Sequence, residues 1–422
     1  FLFAVAAQAS GADIDRYVSA KSGPPSVIEI REPDNYLARS NSEDSYQAEI
    51  DDELLEFDRS PARIYLSRNP DAHLETRFRM RAEFHRQEAI LISGGELCRV
   101  AESVFLSIAR AAEGRVPVVI LVNDADELDS AMDVLGDSLT DEKHFAFVAH
   151  DTMWARDYGP TIVTSGDQCL VVDAAYDDAE RMCDDLVPAT IAAIARSQKR
   201  TTDLCLPGGN LLTNGRGICV TTTRVQEENA EMTQLQIADT IADTYGAHTV
   251  AFLEPLDGEG TGHVDMFATF TDEHTVVVGK YSHKIDPTNA AILDRNARRL
   301  SSIEVDGQKL RVVRIPMPRQ KDDCWPTFTN VVFANGRLLV PLYQSATTKQ
   351  QEIIRRIYSD LLPAWDIHFI SADDLICNGG SLHCVVSNLG TVSLSDNLKR
   401  SKRLQAQPVE RWRGRIVSVG SY

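Results

Sequence analysis

Long hydrophobic runs are missing from this 422-residue sequence, so no complete membrane-spanning helix is predicted. Basic residues are scarce, because 43 Lys and Arg stand against 62 Asp and Glu and give a formal net charge of −19. This balance argues against nucleic-acid binding, which requires a basic face, and it suits a cationic ligand, although solubility alone also explains it. With 43% hydrophobic and 25% charged residues, the composition is that of a globular protein and excludes collagen-like, coiled-coil and wholly disordered chains.

Cysteine pairs of the C-x-x-C type are also missing, although the chain contains eight cysteines. A chain of this length is too long for a disulfide-dominated scaffold. If one cysteine is a free nucleophile, at least one other is unpaired unless a bridge is intermolecular. The cysteine count therefore leaves the redox compartment open.

The two ends of the sequence differ in composition from its middle. Residues 1–9 combine an apolar run with Ala7-Gln8-Ala9, which has the small-x-small form of a signal-peptidase site, and we expect them to be a signal-peptide remnant. The alternative is a buried N-terminal strand. Residues 10–62 are polar and acidic and resemble a linker or pro-segment, and 396–422 form a C-terminal tail. We expect a secreted or periplasmic protein, or a cytoplasmic one if the N-terminus is not a signal.

Between these ends, residues 63–395 alternate helical and strand patterns and predict an α/β domain. Helices are expected at 97–112, 126–137, 179–198, 226–245, 286–302 and 348–362. Single strands are expected at 118–122 and 145–148. Hairpins are expected at 161–164 with 170–173, 211–212 with 218–222, 265–270 with 275–278, 329–333 with 338–341, and 383–387 with 391–394.

A small cluster of chemically reactive residues precedes each hairpin. The clusters contain Asp157, Gly209, His263, Asn330 and Cys384, and they recur at intervals of roughly 50 to 70 residues, which indicates radial repetition of a helix-plus-hairpin unit. Equivalent positions of such units converge at the centre. The alternative is a mixed α/β fold with many hairpins in coincidental phase.

Converging Cys384 and His263 provide the minimum for thiol chemistry, because the thiolate attacks and the imidazole moves protons near neutral pH. Alternation in a strand places His263 and Asp265 on one face. Two carboxylates, Asp157 and Asp265, repel each other unless a cation lies between them, and a planar guanidinium matches carboxylates two at a time. Trp154 either stacks on such a cation or packs in the core.

Two other residues have competing interpretations. For Arg156 we prefer an internal ion pair with an acidic residue to a direct substrate role. Metal binding through His263, Asp265, His383 and Cys384 is disfavoured, because adjacent His383 and Cys384 would point to opposite faces of a strand.

The motifs together resemble the bacterial peptidylarginine deiminase and agmatine deiminase family, over about residues 75–395. The matching segments are Met80-Arg-Ala-Glu83-Phe84, Trp154-Ala-Arg-Asp157-Tyr-Gly-Pro160, Gly208-Gly209-Asn210, Gly262-His263-Val-Asp265-Met266, Thr329-Asn330 and Gly379-Gly380-Ser-Leu-His383-Cys384. The resemblance implies a pentein fold, a five-bladed α/β propeller of repeated ββαβ units, and chemistry that needs neither cofactor nor metal.

The resemblance also implies roles for individual residues. Cys384 is the expected nucleophile, His263 the acid and base, and Asp157 and Asp265 the guanidinium ligands. Trp154, Asn330, Gly209 and Asn210 are expected to line the substrate site. Arg181 is a candidate for binding the carboxylate of a C-terminal arginine.

Departures from the agmatine deiminase pattern favour the peptidylarginine branch. Pro207 stands where a Glu is usual, Phe84 where a Trp is usual, and no Thr-Gln-Gln-x-Pro follows Cys384. The expected reaction converts arginine, free or in peptides, to citrulline and ammonia. The alternatives are agmatine deimination, amidino transfer and a non-catalytic binding propeller. Oligomeric state is not predicted.

Overall fold

The computed structural model describes residues 61–67, 78–140, 143–176 and 180–390, and the backbone of Val27–Ile30. The expected signal remnant at 1–9 and tail at 396–422 lie outside the described residues. Within the segment 10–62, which we expect to be a linker or pro-segment, Val27–Ile30 forms a strand that pairs antiparallel with Ile64–Ser67. Ile64–Ser67 in turn pairs with the strand Thr249–Leu253, so part of this segment is added to a sheet of the domain.

Each main sheet is built from one repeated unit: two antiparallel strands, a helix, and a third strand parallel to the second. Parallel pairing requires a crossover connection, which the helix supplies. Four consecutive units follow this plan. Their strands are Thr161–Ser165, Gln168–Ala175 and Gln198–Cys205; Leu212–Thr213, Ile218–Thr222 and Thr249–Leu253; Ala268–Asp272, Thr275–Lys280 and Arg311–Pro316; and Val332–Phe333, Arg337–Leu342 and Asp366–Ser371.

The fifth unit is assembled from both ends of the domain. Its first strand, Ser387–Leu389, pairs antiparallel with Ala89–Ser93, which pairs in parallel with Val118–Val122. Lys143–Phe147 extends this sheet. The strand predicted at 383–387 is wrong except at Ser387, because residues 382–385 form a turn, and its predicted partner 391–394 lies outside the described residues. The turn residues around Gly390 suggested that the strand before them pairs with the strand after them. Instead, Ser387–Leu389 pairs with the apolar strand Ala89–Ser93, about 300 residues earlier.

All six predicted helical regions are helical, and three of them are interrupted. The helices are Glu96–Val100, Glu102–Ala112, Ala125–Leu135, Met182–Asp185, Val187–Ala195, Arg224–Glu228, Gln234–Tyr245, Pro287–Ser301 and Thr348–Leu361. Shorter elements are the helices Ala155–Tyr158 and Asp373–Ile376, the 3-10 turns Gly136–Ser138, Gly208–Asn210 and Val264–Met266, the strand Arg79–Met80, and the hairpin of Glu304–Val305 with Gln308–Lys309. Among the described residues, none of the helices combines the length and apolarity required to cross a bilayer.

The core lies between the sheets and their helices. Val118–Val122 is buried along its whole length, as expected for a parallel strand covered on both faces. On the helical side, Thr348–Leu361 begins with a capping box in which Thr347 and Gln350 bind each other's backbone amides. Five units of one plan place five equivalent loops at one end of their first strands, which is where the reactive residues lie.

Candidate active site

Five loops, which we call the site loops, each lead into the first strand of a unit. They are residues 154–160, 207–210, 262–266, 326–330 and 379–384. His263 and Asp265 lie at a 3-10 turn, Val264–Met266, rather than in a strand. The strand alternation used to place them on one face is therefore wrong, although both side chains still reach the same centre.

Gly209 marks the point where three of the predicted residues meet. Its backbone N–H donates to Oδ1 of Asp157 at 3.1 Å. A Cβ atom at this position would lie 2.7 Å from Asp157 Oδ1, 2.8 Å from His263 Nδ1 and 3.2 Å from Asp265 Oδ2. Any side chain here would displace those groups, so glycine is required for the three loops to approach each other. His263 Nδ1 lies 3.5 Å from Asp157 Oδ1.

Cys384 contacts Asp265, one of the three residues around Gly209, and Asn330. Its Sγ is 3.8 Å from Oδ2 of Asp265 and 3.4 Å from the Nδ2 donor of Asn330. Oδ1 of Asn330 accepts the backbone N–H of His383 at 2.8 Å, so Asn330 fixes both the sulfur and its loop. The residues predicted as nucleophile, acid–base and carboxylate pair therefore share one buried centre.

The site favours positive charge. Burial raises the pKa of the Cys384 thiol well above its usual value, and the carboxylates of Asp265 and Asp157 raise it further. Burial also raises the pKa of Asp157, with His263 opposing and Asp265 adding to the shift. A cation placed between the carboxylates would reverse these effects and favour the thiolate.

One oxygen of Asp265 has no partner among the described residues. Oδ2 accepts from Nδ1 of His383 at 2.7 Å, whereas Oδ1 is buried and makes no hydrogen bond there. A buried carboxylate oxygen is costly to leave unpaired. Oδ1 of Asp265 and the carboxylate of Asp157 are thus available to the N–H groups of a bound cation.

Beneath the carboxylate pair lies a row of alternating charges that the sequence analysis did not assign. His383 binds Asp265 through Nδ1 and Glu83 through Nε2, the latter at 2.9 Å. Glu83 in turn forms an ion pair with Arg156 at 2.6 Å. The preferred interpretation of Arg156 as an internal ion pair is confirmed.

These partners explain the ionisation of the row. Burial opposes the charged form of Glu83, but Arg156 and His383 outweigh it and lower its pKa to about 2. Burial and Arg156 also oppose protonation of His383, yet Glu83 and Asp265 prevail and raise its pKa. Both ring nitrogens of His383 face carboxylates, which requires the imidazolium form. Glu83 and His383 both lie in the motifs quoted above, but the sequence analysis gave neither a role. The one available signal was the expectation that Arg156 needs an acidic partner.

Trp154 and Asn210 shape the site in different ways. A Cβ on Gly380 would lie 2.4 Å from Cζ3 of Trp154 and 2.9 Å from Cβ of Cys384, so the indole packs over the glycine beside the nucleophile. Asn210 is fully buried, and its Oδ1 accepts the backbone N–H groups of Thr222 and Val264. These contacts hold two loops together.

Arg181 lies next to Tyr176, a residue of a cleft that also includes Asp157. Its Nη1 donates to the hydroxyl of Tyr176 at 3.0 Å. Tyr176 and Asp157 line the same cleft, and after burial the charge of Asp157 is the next influence that raises the pKa of Tyr176. The predicted carboxylate-binding role of Arg181 stays a prediction.

Glu228 is a further acidic residue at the site that sequence reasoning missed. It ends the helix Arg224–Glu228, and Thr222, just before that helix, donates its hydroxyl to the backbone oxygen of Gly262 at 2.6 Å. Burial raises the pKa of Glu228, His263 and Arg224 lower it, and Asp157 raises it. Nε of Arg224 lies 3.6 Å from Oε1 of Glu228. Its Oε2 is buried without a hydrogen-bond partner among the described residues.

The expectation that His383 and Cys384 point to opposite faces of a strand, which was used to disfavour a metal site, is wrong. His383 and Cys384 lie in a turn, and both approach Oδ2 of Asp265, so they do not point to opposite faces. Within the described ranges, no group of three or more His, Cys, Asp or Glu side chains is arranged to hold a metal ion.

Comparison with known proteins agrees with this geometry. The sequence profile of the Porphyromonas-type peptidyl-arginine deiminase family matches residues 79–389, about three quarters of the sequence. The chain belongs to this family. It is accordingly a hydrolase that acts on C–N bonds of guanidino groups.

Curated relatives share about a quarter of their residues with the chain. "Putative agmatine deiminase 1" of Listeria monocytogenes is 24% identical over 74% of this chain and 96% of its own length. "Putative agmatine deiminase" of Latilactobacillus sakei is 23% identical over the same shares.

Solved structures support the pentein fold. The arginine deiminase from Porphyromonas gingivalis, described as "putative", superposes with a TM-score of 0.67 at 24% identity and covers 75% of this chain and 99% of its own. The agmatine deiminase of Enterococcus faecalis gives a TM-score of 0.66 at 21% identity, with 74% and 95% covered. The predicted α/β pentein fold is confirmed.

Proposed function

We propose that this enzyme deiminates agmatine, releasing ammonia and N-carbamoylputrescine. The observation that carries the deiminase chemistry is the pair of buried carboxylates, Asp157 and Asp265, beside Sγ of Cys384, with Oδ1 of Asp265 left without a partner among the described residues. The curated relatives described above support agmatine as the substrate.

The reaction starts when the guanidinium lies between Asp157 and Asp265, with its central carbon next to Sγ of Cys384. The bound cation favours the thiolate, and the thiol proton passes to His263. Sulfur then bonds to the carbon, His263 returns the proton to one amino group, and ammonia leaves. An S-linked thiouronium remains on Cys384.

Hydrolysis follows on the same groups. His263, now neutral, takes a proton from water, and the hydroxide attacks the thiouronium carbon. The C–S bond breaks, the proton of the added hydroxyl passes to the departing sulfur of Cys384, and the carbon keeps oxygen as the carbonyl of a ureido group. The charged row of His383, Glu83 and Arg156 holds the Asp265 carboxylate in place through Nδ1 of His383.

Glu228 supports agmatine over an arginine with a free carboxylate. Agmatine carries a second cation at its amino end, and Glu228 offers a buried carboxylate oxygen near His263 and Asp157. Glu228 would repel the carboxylate of a substrate only in part, because Nε of Arg224 lies 3.6 Å from Oε1 of Glu228 and offsets some of its charge. The high acidity of the chain as a whole acts in the same direction.

Arginine in peptides is the second candidate, since Pro207 replaces the acid usual before Gly-Gly in agmatine deiminases and Arg181 binds Tyr176, which lines the cleft with Asp157. The experiment measures ammonia release from agmatine, a peptide ending in arginine, and a peptide with internal arginine. We expect turnover of agmatine, loss of that turnover in Cys384→Ala, and a higher KM for agmatine in Glu228→Gln. Glu227→Gln, at an exposed neighbouring residue, is the control. Turnover of peptides alone would overturn the assignment to agmatine.

We also propose that the protein is exported. The apolar start with Ala7-Gln8-Ala9 supports this, as does a disulfide between Cys324 and Cys377, because disulfides persist in oxidising compartments. Detection of the mature chain in a periplasmic or medium fraction would test it. Retention with the cytoplasmic fraction would argue against export.

A further inference from the structure

A disulfide joins the outer ends of two site loops. Cys324 and Cys377 are bonded, with Cα atoms 4.5 Å apart. Cys324 shortly precedes the loop 326–330, which ends in Asn330, and Cys377 shortly precedes the loop 379–384, which ends in Cys384. The bond therefore links the segment that carries the nucleophile to the segment that carries its amide partner.

The buried parts of the same loops are held by hydrogen bonds and by core packing that includes Phe328 and Leu382. The hydroxyl of Tyr343 bridges the backbone oxygen of Thr327, at 3.1 Å, and Oγ of Ser381, at 2.7 Å. Asn330 meets Cys384 and the backbone of His383 at the inner limit. All these contacts are buried.

The outer ends, in contrast, are accessible to solvent. Cys377 is exposed and Cys324 is partly exposed. Asp322, Asp323 and Gly379 adopt positive φ angles of 52°, 59° and 102° beside the bond. On the Cys324 side this region is turn and loop apart from one backbone bridge between Lys321 and Cys324, whereas Cys377 directly follows the helix Asp373–Ile376, whose Leu375 and Ile376 are buried. The covalent bond therefore ties a turn segment to a helix that is anchored in the core.

We propose that the Cys324–Cys377 disulfide is a positioning element of the active site, which keeps Asn330 against Cys384 and makes turnover sensitive to thiol reductants. The inference rests on the proposed deiminase function. A dithiol reductant supplies two electrons and two protons, the S–S bond breaks, thiols form at Cys324 and Cys377, and the dithiol becomes a disulfide.

Cys384 does not compete in this exchange. It is buried, and burial together with the carboxylates of Asp265 and Asp157 keeps its pKa high, so little thiolate is present to attack another disulfide. The exposed bond and the buried thiol thus react separately, and each can be followed on its own.

The test compares the oxidised enzyme with the same enzyme reduced by dithiothreitol, and with Cys324→Ser/Cys377→Ser. We expect reduction to lower kcat on the order of tenfold with a smaller change in KM, since misplacement by about an ångström costs up to a hundredfold. The double variant should match the reduced enzyme and ignore the reductant. Cys169→Ser, at a partly buried free cysteine outside the site, should behave as wild type.

A second measurement does not require turnover. Iodoacetamide should alkylate Cys384 several times faster in the reduced enzyme, because the loop that carries it loosens. Mass spectrometry locates the label, and circular dichroism confirms that the fold is retained. Equal turnover and equal alkylation with the bond shown to be broken would refute the proposal, as would a double variant that responds to reductant like wild type. Absence of activity on every guanidino substrate would instead contradict the proposed function, and the alkylation rates would still test the disulfide.

Discussion

The two histidines at the centre of the molecule have opposite surroundings although both are buried. His263 has one loose carboxylate contact, 3.5 Å from Nδ1 to Asp157. His383 lies between two carboxylates, at 2.7 Å from Asp265 and 2.9 Å from Glu83. Both residues are histidines in site loops, so their different carboxylate partners account for their different surroundings.

A histidine that moves protons must be able to lose and regain one near neutral pH. His383 cannot do so without removing the cation that lies between Asp265 and Glu83, whereas His263 does not lie between two carboxylates in this way. His263 is therefore suited to proton transfer and His383 to holding charge. Substitutions at the two positions should separate catalysis from stability.

The largest expected effect is loss of catalysis in His263→Asn. General acid–base groups contribute on the order of a hundredfold to ten-thousandfold to rate, so kcat should fall by that range. The free energy of unfolding should change little, because the contact of the imidazole with Asp157 is long, at 3.5 Å. Steady-state ammonia release and urea denaturation measure the two quantities. His283→Asn, at an exposed histidine, should retain wild-type kcat. A His263→Asn enzyme with near-normal kcat would exclude the acid–base role.

The reverse pattern is expected for His383→Asn. Breaking a buried ion pair from one side costs about 3–5 kcal/mol, so the free energy of unfolding should fall by that order. Glu83 and Asp265 then face each other without a cation between them. Urea denaturation at neutral pH measures the loss. A change below about 1 kcal/mol, the usual value of an exposed pair, would show that the charged row contributes little.

The smallest expected effect is on how the free energy of unfolding depends on pH, through the charged row of Glu83 and His383. The pKa of Glu83 falls from its usual 4.5 to about 2 in the folded protein, so its contribution is present above pH 4.5 and is lost as the pH drops toward 2. The pKa of His383 is raised, so its contribution is present below 6.5 and is lost as the pH rises through the folded value. We expect the row to stabilise the fold most between about pH 4.5 and 6.5.

Glu83→Gln isolates the acidic side of this window. The shift of Glu83 corresponds to about 3 kcal/mol at most, at 1.36 kcal/mol per pKa unit. Denaturation midpoints between about pH 2 and 5 should fall less steeply in the variant than in wild type. Parallel slopes for the two proteins would show that other carboxylates dominate acid unfolding.

Much of the fold could be predicted because its signals are local. Apolar spacing and turn residues gave the helices and four of the hairpins, and the phase of the reactive clusters predicted that Asp157, Gly209, His263, Asn330 and Cys384 would meet. The fifth strand pairing was missed, because Ser387–Leu389 pairs with Ala89–Ser93, far away in the sequence. No local pattern encodes such a partner.

The chemistry of the site was less visible than its position. Burial and charges from other elements determine the roles of Glu83, His383 and Glu228. A motif shows neither the burial of a residue nor the charges around it. The disulfide was hidden for a similar reason, since Cys324 and Cys377 are separated by 53 residues and approach only when two loops are folded. Residue type suggested a thiol enzyme, and tertiary contacts then assigned each side chain.

The pairing of Ser387–Leu389 with Ala89–Ser93 also sets the order in which the enzyme becomes competent. Synthesis on the ribosome delivers the carboxylates and His263 well before Cys384, which is almost adjacent to the last described strand. Pairings between distant segments form slowly. We therefore expect Asp157, His263, Asp265 and Cys384 to come together only when this last described strand docks beside Ala89–Ser93.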